Sequence, residues 1–289
     1  MHKEGEALMK RVLGIVASPR NLGNSEILAK AAMEATGADN QLELIRLTDL
    51  DIRPCKACYA CLPKDKPCRI EDDLSFLLEK IRAADAIVLA APAYSLGPNS
   101  RIKAFQDRFL SVENKHEQYG DKACITITTY GVSGWSGYTE AALNLTAKLF
   151  NWRLVDSESF LGANPAAVLE DPVNLKRAQQ MGKALFEPGY QRIPRANECP
   201  VCWSDILRYD GKNVICPFCG TKGEIGMEGD EVKLKFFPEE DYRWSKAGIQ
   251  QHLDFLNDKK QEFLAKRSLY KELQNPYRKI GHWLTPEQK

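Results

Sequence analysis

The sequence predicts an α/β fold: a doubly wound, five-stranded parallel sheet, then a small cysteine-stapled module and a helical tail. Three observations predict it. Strand-like and helix-like stretches alternate over residues 1–187, the pattern of repeated βα units that build a parallel sheet with helices on both faces. Several of the strand-like runs are almost continuously apolar, as strands buried on both faces must be. Two Cys-x2-Cys pairs then follow a stretch mixing Pro, Gly and charge, a spacing that staples a module too small to bury its own core.

Each element has its own signal. RVLGIVA (11–17) is an apolar, β-branched run and reads as a buried first strand. Residues 23–37 carry Ile27, Leu28, Ala31 and Ala35 at helical spacing. QLELIRL (41–47) alternates apolar and polar residues, which suits a strand nearer the sheet edge. After the stretch CKACYACLPKDKPC (55–68), Asp72 is expected to cap a helix bearing Leu74, Leu77, Leu78 and Ile81. DAIVLAAP (85–92) is another buried strand, followed by a helical segment around Lys103–Leu110. KACITITTY (122–130), a helix over 138–150, WRLVDSESFLG (152–162) and a helix near 173–186 complete the alternation. FEPGYQRIPRANE (186–198) reads as a linker. The expected domains are 1–187, 188–238 and 239–289, the last a charged tail that is helix-prone from about Asp241 to Asn275. That tail reads either as a packing helix or as a solvated, partner-facing one.

Composition narrows the function. The chain has 289 residues and 44% hydrophobic content, enough for a real core. Its 40 Lys+Arg nearly cancel 39 Asp+Glu; nucleic-acid binders carry a clear basic excess, so no such partner is expected. The first apolar run, Val12–Ala17, is too short for a signal-peptide core or a membrane span, and a cytoplasmic location is expected. There, grouped cysteines point to metal rather than disulfide. The nine cysteines form two groups of four, with Cys124 left over inside a strand as a small core residue. The four histidines, His2, His116, His252 and His282, are scattered and read as surface residues. No catalytic acid–base residue is assigned.

Ligands of open α/β sheets bind beyond the carboxyl ends of the strands. The loop leaving the first strand, SPRNLGNSE (18–26), lacks both the G-x-G-x-x-G of dinucleotide sites and the G-K-[ST] of a Walker loop. It offers Ser18, Asn21, Asn24 and Ser25, with Arg20, at a helix N-terminus. Such hydroxyls, amides and the helix dipole can hold a phosphate without metal. Ser and Asn are also ordinary N-caps, so the loop alone leaves both readings open.

Three loops together resemble those of the NADPH-dependent FMN reductase and flavodoxin-like flavoproteins. The first matches that family's S-x-R-x-x-G-N-[ST] phosphate loop, APAYSLGPNSRIKAFQDRF (91–109) its P-x-Y turn and K-x-F-x-D-R helix, and TTYGVSGWSG (128–137) its Gly-rich third loop. The resemblance covers roughly residues 10–187. It implies FMN, with Ser18, Arg20, Asn24 and Ser25 on the phosphate around Gly23. Pro92, Ala93 and Tyr94, with Ser95 in the following turn, would line one side of the ring, and Thr129, Tyr130 and Gly131 the other.

Cys55, Cys58, Cys61 and Cys68 follow the pattern C-x2-C-x2-C-x6-C, unlike the two separated knuckles that wrap one zinc ion. Three thiolates at three-residue steps can each meet a different iron, and a fourth closes the ligand set of a [4Fe–4S] cluster. The stretch resembles the cysteine motif of archaeal-type iron–sulfur flavoproteins. An empty or redox-active thiol set, or zinc, stays open, because relatives of flavodoxin type can keep similar cysteines without a cluster.

CPVCWSDILRYDGKNVICPFCG (199–220) joins two knuckles through a hairpin with a YDG turn. Cys199, Cys202, Cys216 and Cys219 therefore read as a zinc ribbon, with rubredoxin-type iron as the competitor. The expected function is an oxidoreductase passing electrons between FMN and the cluster, as a homo-oligomer, with ferredoxin or NAD(P)H as redox partner. The alternatives are an NAD(P)H-dependent FMN or quinone reductase without a cluster, and a redox-sensing binding protein that reads out through ribbon and tail.

Overall fold

The structure, a computed structural model, describes residues 9–193, 195–281 and 284. The body contains β1 (Arg11–Val16), α1 (Asn24–Glu34), β2 (Gln41–Arg46), α2 (Leu74–Ala83), β3 (Ala86–Tyr94), β4 (Gly97–Pro98), α3 (Ser100–Gln106), α4 (His116–Tyr119), β5 (Ala123–Tyr130), α5 (Thr139–Leu149), β6 (Arg153–Leu161) and α6 (Pro172–Ala184). Five strands run parallel in the order β2-β1-β3-β5-β6, with β4 folded back antiparallel on β3. In register, Val12 lies between Leu42 and Ala86. The alternating strand, QLELIR, is at the edge, as its half-polar pattern requires.

Side chains alternate across the sheet, so β1 feeds two cores. Leu13 and Ile15 join Leu77 and Ile81 of α2, Phe105 of α3, Phe150 and Trp152 on one face. Val12 and Val16 join Leu28 and Ala32 of α1 and Met181 of α6 on the other. Cys124 is fully buried in the first core, where burial pushes its thiol far above the ordinary range. Helices α1 and α6 pack closely at Gly182, where a Cβ would sit 1.9 Å from the Ala32 carbonyl oxygen.

The start of α2 differs from expectation. The helix begins at Leu74, with Asp73 at the N-cap. Asp72 instead receives N–H bonds from Arg53 (2.9 Å) and Leu74 (3.2 Å) and forms a buried ion pair with Arg108. A guanidinium arriving from 36 residues away needs a buried counter-charge more than the helix needs a cap.

The segment read as a linker is pinned to the body. Arg192 pairs with buried Glu198 at 2.7 Å and stacks 4.8 Å from the Trp203 ring centre. Arg195 reaches Glu140 of α5 and Glu158 of β6 at 3.0 and 2.8 Å, and the Tyr190 hydroxyl donates to Asp156 at 2.7 Å.

Beyond it, β7 (Arg208–Asp210), β8 (Asn213–Ile215), β9 (Lys222–Glu228) and β10 (Glu231–Phe237) form an antiparallel sheet in the order β10-β9-β8-β7. The β9–β10 hairpin, with Gly229 at φ +62° in its turn, was not anticipated. The tail contains α7 (Lys246–Ala265), capped by the Ser245 hydroxyl, and α8 (Arg267–Gln274). Ile249 and Leu253 of α7 pack on Leu62, Leu110 and Trp244, whereas α8 buries no residue. Among the described residues no helix is long and apolar enough to cross a membrane.

Candidate active site and metal centres

Strands β1, β3 and β5 end on one edge of the sheet, and the loops leaving them line one cleft. Ser18, Arg20, Gly23, Asn24 and Ser25 come from the first loop, Pro92, Ala93 and Tyr94 from the second, and Thr129, Tyr130 and Gly131 from the third. Gly162 and Ala163, beyond β6, complete the lining and had not been anticipated. Ser95 is absent from it. With Leu96 it occupies the two left-handed positions (φ +49° and +66°) of the tight β3–β4 turn, so its role is in the hairpin.

The first loop leaves main-chain donors free. Gly23, extended at the N-cap of α1, supplies no side chain to cap the helix. Among the described residues, no protein acceptor takes the N–H groups of Asn24, Ser25 or Glu26. These are the groups that helix N-termini offer to phosphate. The side chain of Asn24 is already committed: its amide donates to the carbonyls of Gly162 (2.7 Å) and Asn164 (3.0 Å). Asn24 is thus a strut between the first loop and the loop after β6, leaving its N–H for a ligand. Ser25 Oγ lies 2.7 Å from Thr129 Oγ1 and ties the first loop to the third.

Arg46, also unanticipated, clamps the loop from behind. It donates to the carbonyls of Ser18 (2.9 Å) and Arg20 (3.0 Å) and to Glu26 (2.7 Å). Burial opposes the Glu26 charge, but hydrogen bonds from Lys30, Arg46 and the Leu22 N–H outweigh it and hold the carboxyl at about 2. Only the Glu26–Lys30 pair, at i,i+4, left a sequence signal.

The second and third loops lock together. Tyr138 N–H donates to the Leu96 carbonyl at 2.9 Å, and a Cβ on Gly137 (φ +55°) would lie 1.8 Å from that oxygen. These loops carry exposed Tyr94, Leu96, Val132, Trp135 and Tyr138. Among the described residues no carboxylate, imidazole or thiol lines the cleft; its side-chain hydroxyls are those of Ser18, Ser25, Tyr94, Thr129 and Tyr130.

The first cysteine group is spread along an irregular loop. Cys61 is buried, Cys55 and Cys68 are half-buried and Cys58 is exposed. Ala57 and Tyr59, either side of Cys58, are left-handed at φ +47° and +54°, strain that a structure keeps only where it is constrained. Burial pushes the Cys61 thiol up, and the neighbouring Cys68 and Cys55 charges push it further. The loop does not gather its sulfurs about a point: among the described residues only the second group has all ligand atoms within 4.8 Å. A cubane needs the wider spread, since each thiolate meets a different iron. The surroundings fit such a group. Arg108 donates to Cys68 Sγ at 3.2 Å, and its buried Nε–H has no protein partner. Both residues line a cavity of about 230 Å3.

The second group is a closed site. Cys199 and Cys219 Sγ are 3.4 Å apart, as are Cys202 and Cys216 Sγ, and all four are buried. A tetrahedral ion with Zn–S bonds of about 2.3 Å sets its sulfurs about 3.8 Å apart, so this quartet fits one ion. Each knuckle turns through a left-handed residue, Trp203 or Gly220 (φ +56° and +84°).

His252 is exposed, as the surface reading expected, but it is not idle. Its Nδ1 bonds Glu113, a side chain with 0% exposure, and so links α7 to the body. Burial raises the Glu113 carboxyl, against the lowering effect of that bond. His2, His282 and the side chain of His116 lie outside the described residues.

Comparison with known proteins agrees with this geometry. The family model described as NADPH-dependent FMN reductase matches residues 10–165. An iron–sulfur flavoprotein of Methanosarcina thermophila is 30% identical over 182 residues, covering 61% of this chain and 94% of that protein. A flavone synthase, cfoJ, of Aspergillus candidus is 25% identical over 289 residues, covering 85% of this chain and 88% of that protein. A solved flavone reductase structure superposes with a TM-score of 0.75 at 24% identity, covering 96% of this chain and all of that one, so the fold is shared beyond the body. The chain belongs to the NADPH-dependent FMN reductase family and is an FMN-dependent oxidoreductase.

Proposed function

We propose that the cleft seats FMN, that Cys55, Cys58, Cys61 and Cys68 hold a [4Fe–4S] cluster, and that Cys199, Cys202, Cys216 and Cys219 hold zinc. The protein then moves electrons between flavin and cluster for a redox partner such as NAD(P)H or ferredoxin, as a cytoplasmic homo-oligomer. The observation that carries this reading is the convergence of three strand-end loops and an uncapped helix N-terminus on one cleft. When bound, the flavin supplies two-electron and one-electron chemistry and the cluster one-electron chemistry. The chain's own part is positioning: Ser18, Arg20, Ser25 and the first-turn N–H groups hold the phosphate, while Pro92, Ala93 and Tyr94 face Thr129, Tyr130 and Gly131 across the ring. Anaerobic purification with cluster reconstitution, followed by flavin and metal analysis, tests it. One FMN, about four irons with matching sulfide and one zinc per chain are expected; iron-free protein would remove the cluster, and iron without zinc would make the ribbon a rubredoxin-type site.

The phosphate assignment has its own test. Arg20→Ala with Ser25→Ala removes a cation and a hydroxyl, and bonds to charged groups contribute about 1.5–3 kcal/mol each. FMN affinity should fall more than about tenfold, and riboflavin affinity by much less, since it loses only the Ser25–Thr129 tie. Equal losses for both ligands would put the phosphate elsewhere.

The exposed apolar residues on the second and third loops, Tyr94, Leu96, Val132, Trp135 and Tyr138, favour a second reading. In it NAD(P)H reduces FMN, which then reduces a planar aromatic acceptor such as a quinone or flavone without the cluster. Turnover that survives Cys61→Ser would select it.

A further inference from the structure

Two buried cations flank the first cysteine loop, and only one is neutralised. Arg108, its side chain 1% exposed, is paired with Asp72. Lys115, 9% exposed, donates to the carbonyls of Lys66 and Ser111, each at 2.9 Å, and among the described residues no carboxylate accepts from it. An ammonium removed from water with only carbonyl partners is costly unless opposite charge lies nearby. Asp65 and the thiols of Cys61 and Cys68 lie around it, and Lys115 lines the same cavity as Cys68 and Arg108. Two of its three N–H donors are used, which leaves one, with Arg108 Nε–H, for an acceptor in that cavity.

We infer that Lys115 is a positioning residue for the group held by Cys61 and Cys68: with Arg108 it supplies the positive field and free N–H donors that an anionic iron–sulfur cluster requires, and it thereby sets the cluster's reduction potential. This rests on the cluster reading above. Four thiolates leave a [4Fe–4S] group with net negative charge, and one-electron reduction adds another. A fixed cation close to the sulfurs stabilises the reduced form more than the oxidised one, and in a low-dielectric surrounding little solvent screens it. Lys115 is better placed for this than Arg108, whose charge Asp72 already offsets.

The experiment is a redox titration of the full-length, anaerobically reconstituted protein, following the cluster by electron paramagnetic resonance and the flavin by absorbance. Lys115→Met keeps the length of the side chain and removes its charge; Lys115→Arg keeps the charge. Lys115→Met should lower the equilibrium constant for cluster reduction about tenfold, about 59 mV for one electron, with the flavin potential unchanged. Lys115→Arg should stay near the parent. Lys115→Gln, also neutral, is the alternative if methionine prevents folding, and should shift the potential the same way. An unshifted cluster potential in the neutral variants, or an equal shift of cluster and flavin, overturns the inference while leaving the cluster in place. A parent protein that takes up no iron overturns the cluster reading and this inference with it.

Discussion

Cys216→Ser is expected to unfold the C-terminal third of the chain while the α/β body stays folded and keeps its flavin. The ribbon buries its four cysteines and, of its apolar side chains, Val214, with only half-buried Val201, Leu207, Phe218, Tyr242 and Trp244 packed around the cysteines. With zinc at the four cysteines, as proposed, a module so small would depend on it: structural zinc contributes about 10–16 kcal/mol in small zinc modules, comparable to the whole stability of an ordinary domain. The damage should spread into the tail. Arg243 donates to the carbonyls of Pro217 (2.7 Å) and Phe218 (3.0 Å) in the second knuckle, and Trp244 Nε1–H donates to Phe218 at 2.8 Å. The Trp244 ring meets Phe109 of the body edge-on at 5.9 Å, immediately before α7. Losing the knuckle therefore removes the anchor of that helix. Hydrogen exchange should show amides from about residue 199 through α7 losing protection, as chelator treatment of the parent should also do. Unchanged protection there would mean that the ion is dispensable.

Gly137→Ala is expected to cost most of the FMN affinity. The new Cβ would lie 1.8 Å from the Leu96 carbonyl oxygen, at a left-handed position that alanine disfavours. Either the third loop lifts away from the β3–β4 turn or the turn itself moves, and both border the cleft. Overpacking of this kind costs about 1–3 kcal/mol, which if lost from binding weakens Kd roughly ten- to hundredfold. Gly134 is the control: it too is left-handed (φ +78°), but a Cβ there meets nothing within 4 Å, so Gly134→Ala should show the backbone cost alone. Fluorescence titration of apoprotein with FMN reads both, and equal losses would mean that the loop contact is unimportant.

What could be read from the sequence was local. Periodicity located the five parallel strands, though not the short β4, and spacing picked out both cysteine groups, because a strand buried on both faces or a knuckle pair writes its constraint into neighbouring residues. The first cleft loop drew notice because it leaves a strand end, but its reading, and those of the second and third loops, came from their resemblance to the loops of FMN reductases. Illegible features depended on distant partners. Asp72 looked like a helix cap because nothing near it announces Arg108. Arg46 gave no hint that it would hold the Ser18 and Arg20 carbonyls, and His252 gave none of Glu113, 139 residues away. Gly162 and Ala163 reach the cleft only because β6 is the neighbour of β5. The β9–β10 hairpin is a different case: Gly229–Asp230 between alternating apolar residues was a turn signal within reach.

The uncapped start of α1 has a consequence for how this chain can change over evolutionary time. Donors supplied by main-chain N–H groups are present whatever residue occupies a position, provided the helix begins there. Selection on these main-chain donors therefore acts through helix placement, by the Asn24 strut and the Arg46 clamp, separately from selection on the Ser18, Arg20 and Ser25 side chains. A substitution at either support should be inherited as a lesion of the cradle although neither side chain need touch the ligand.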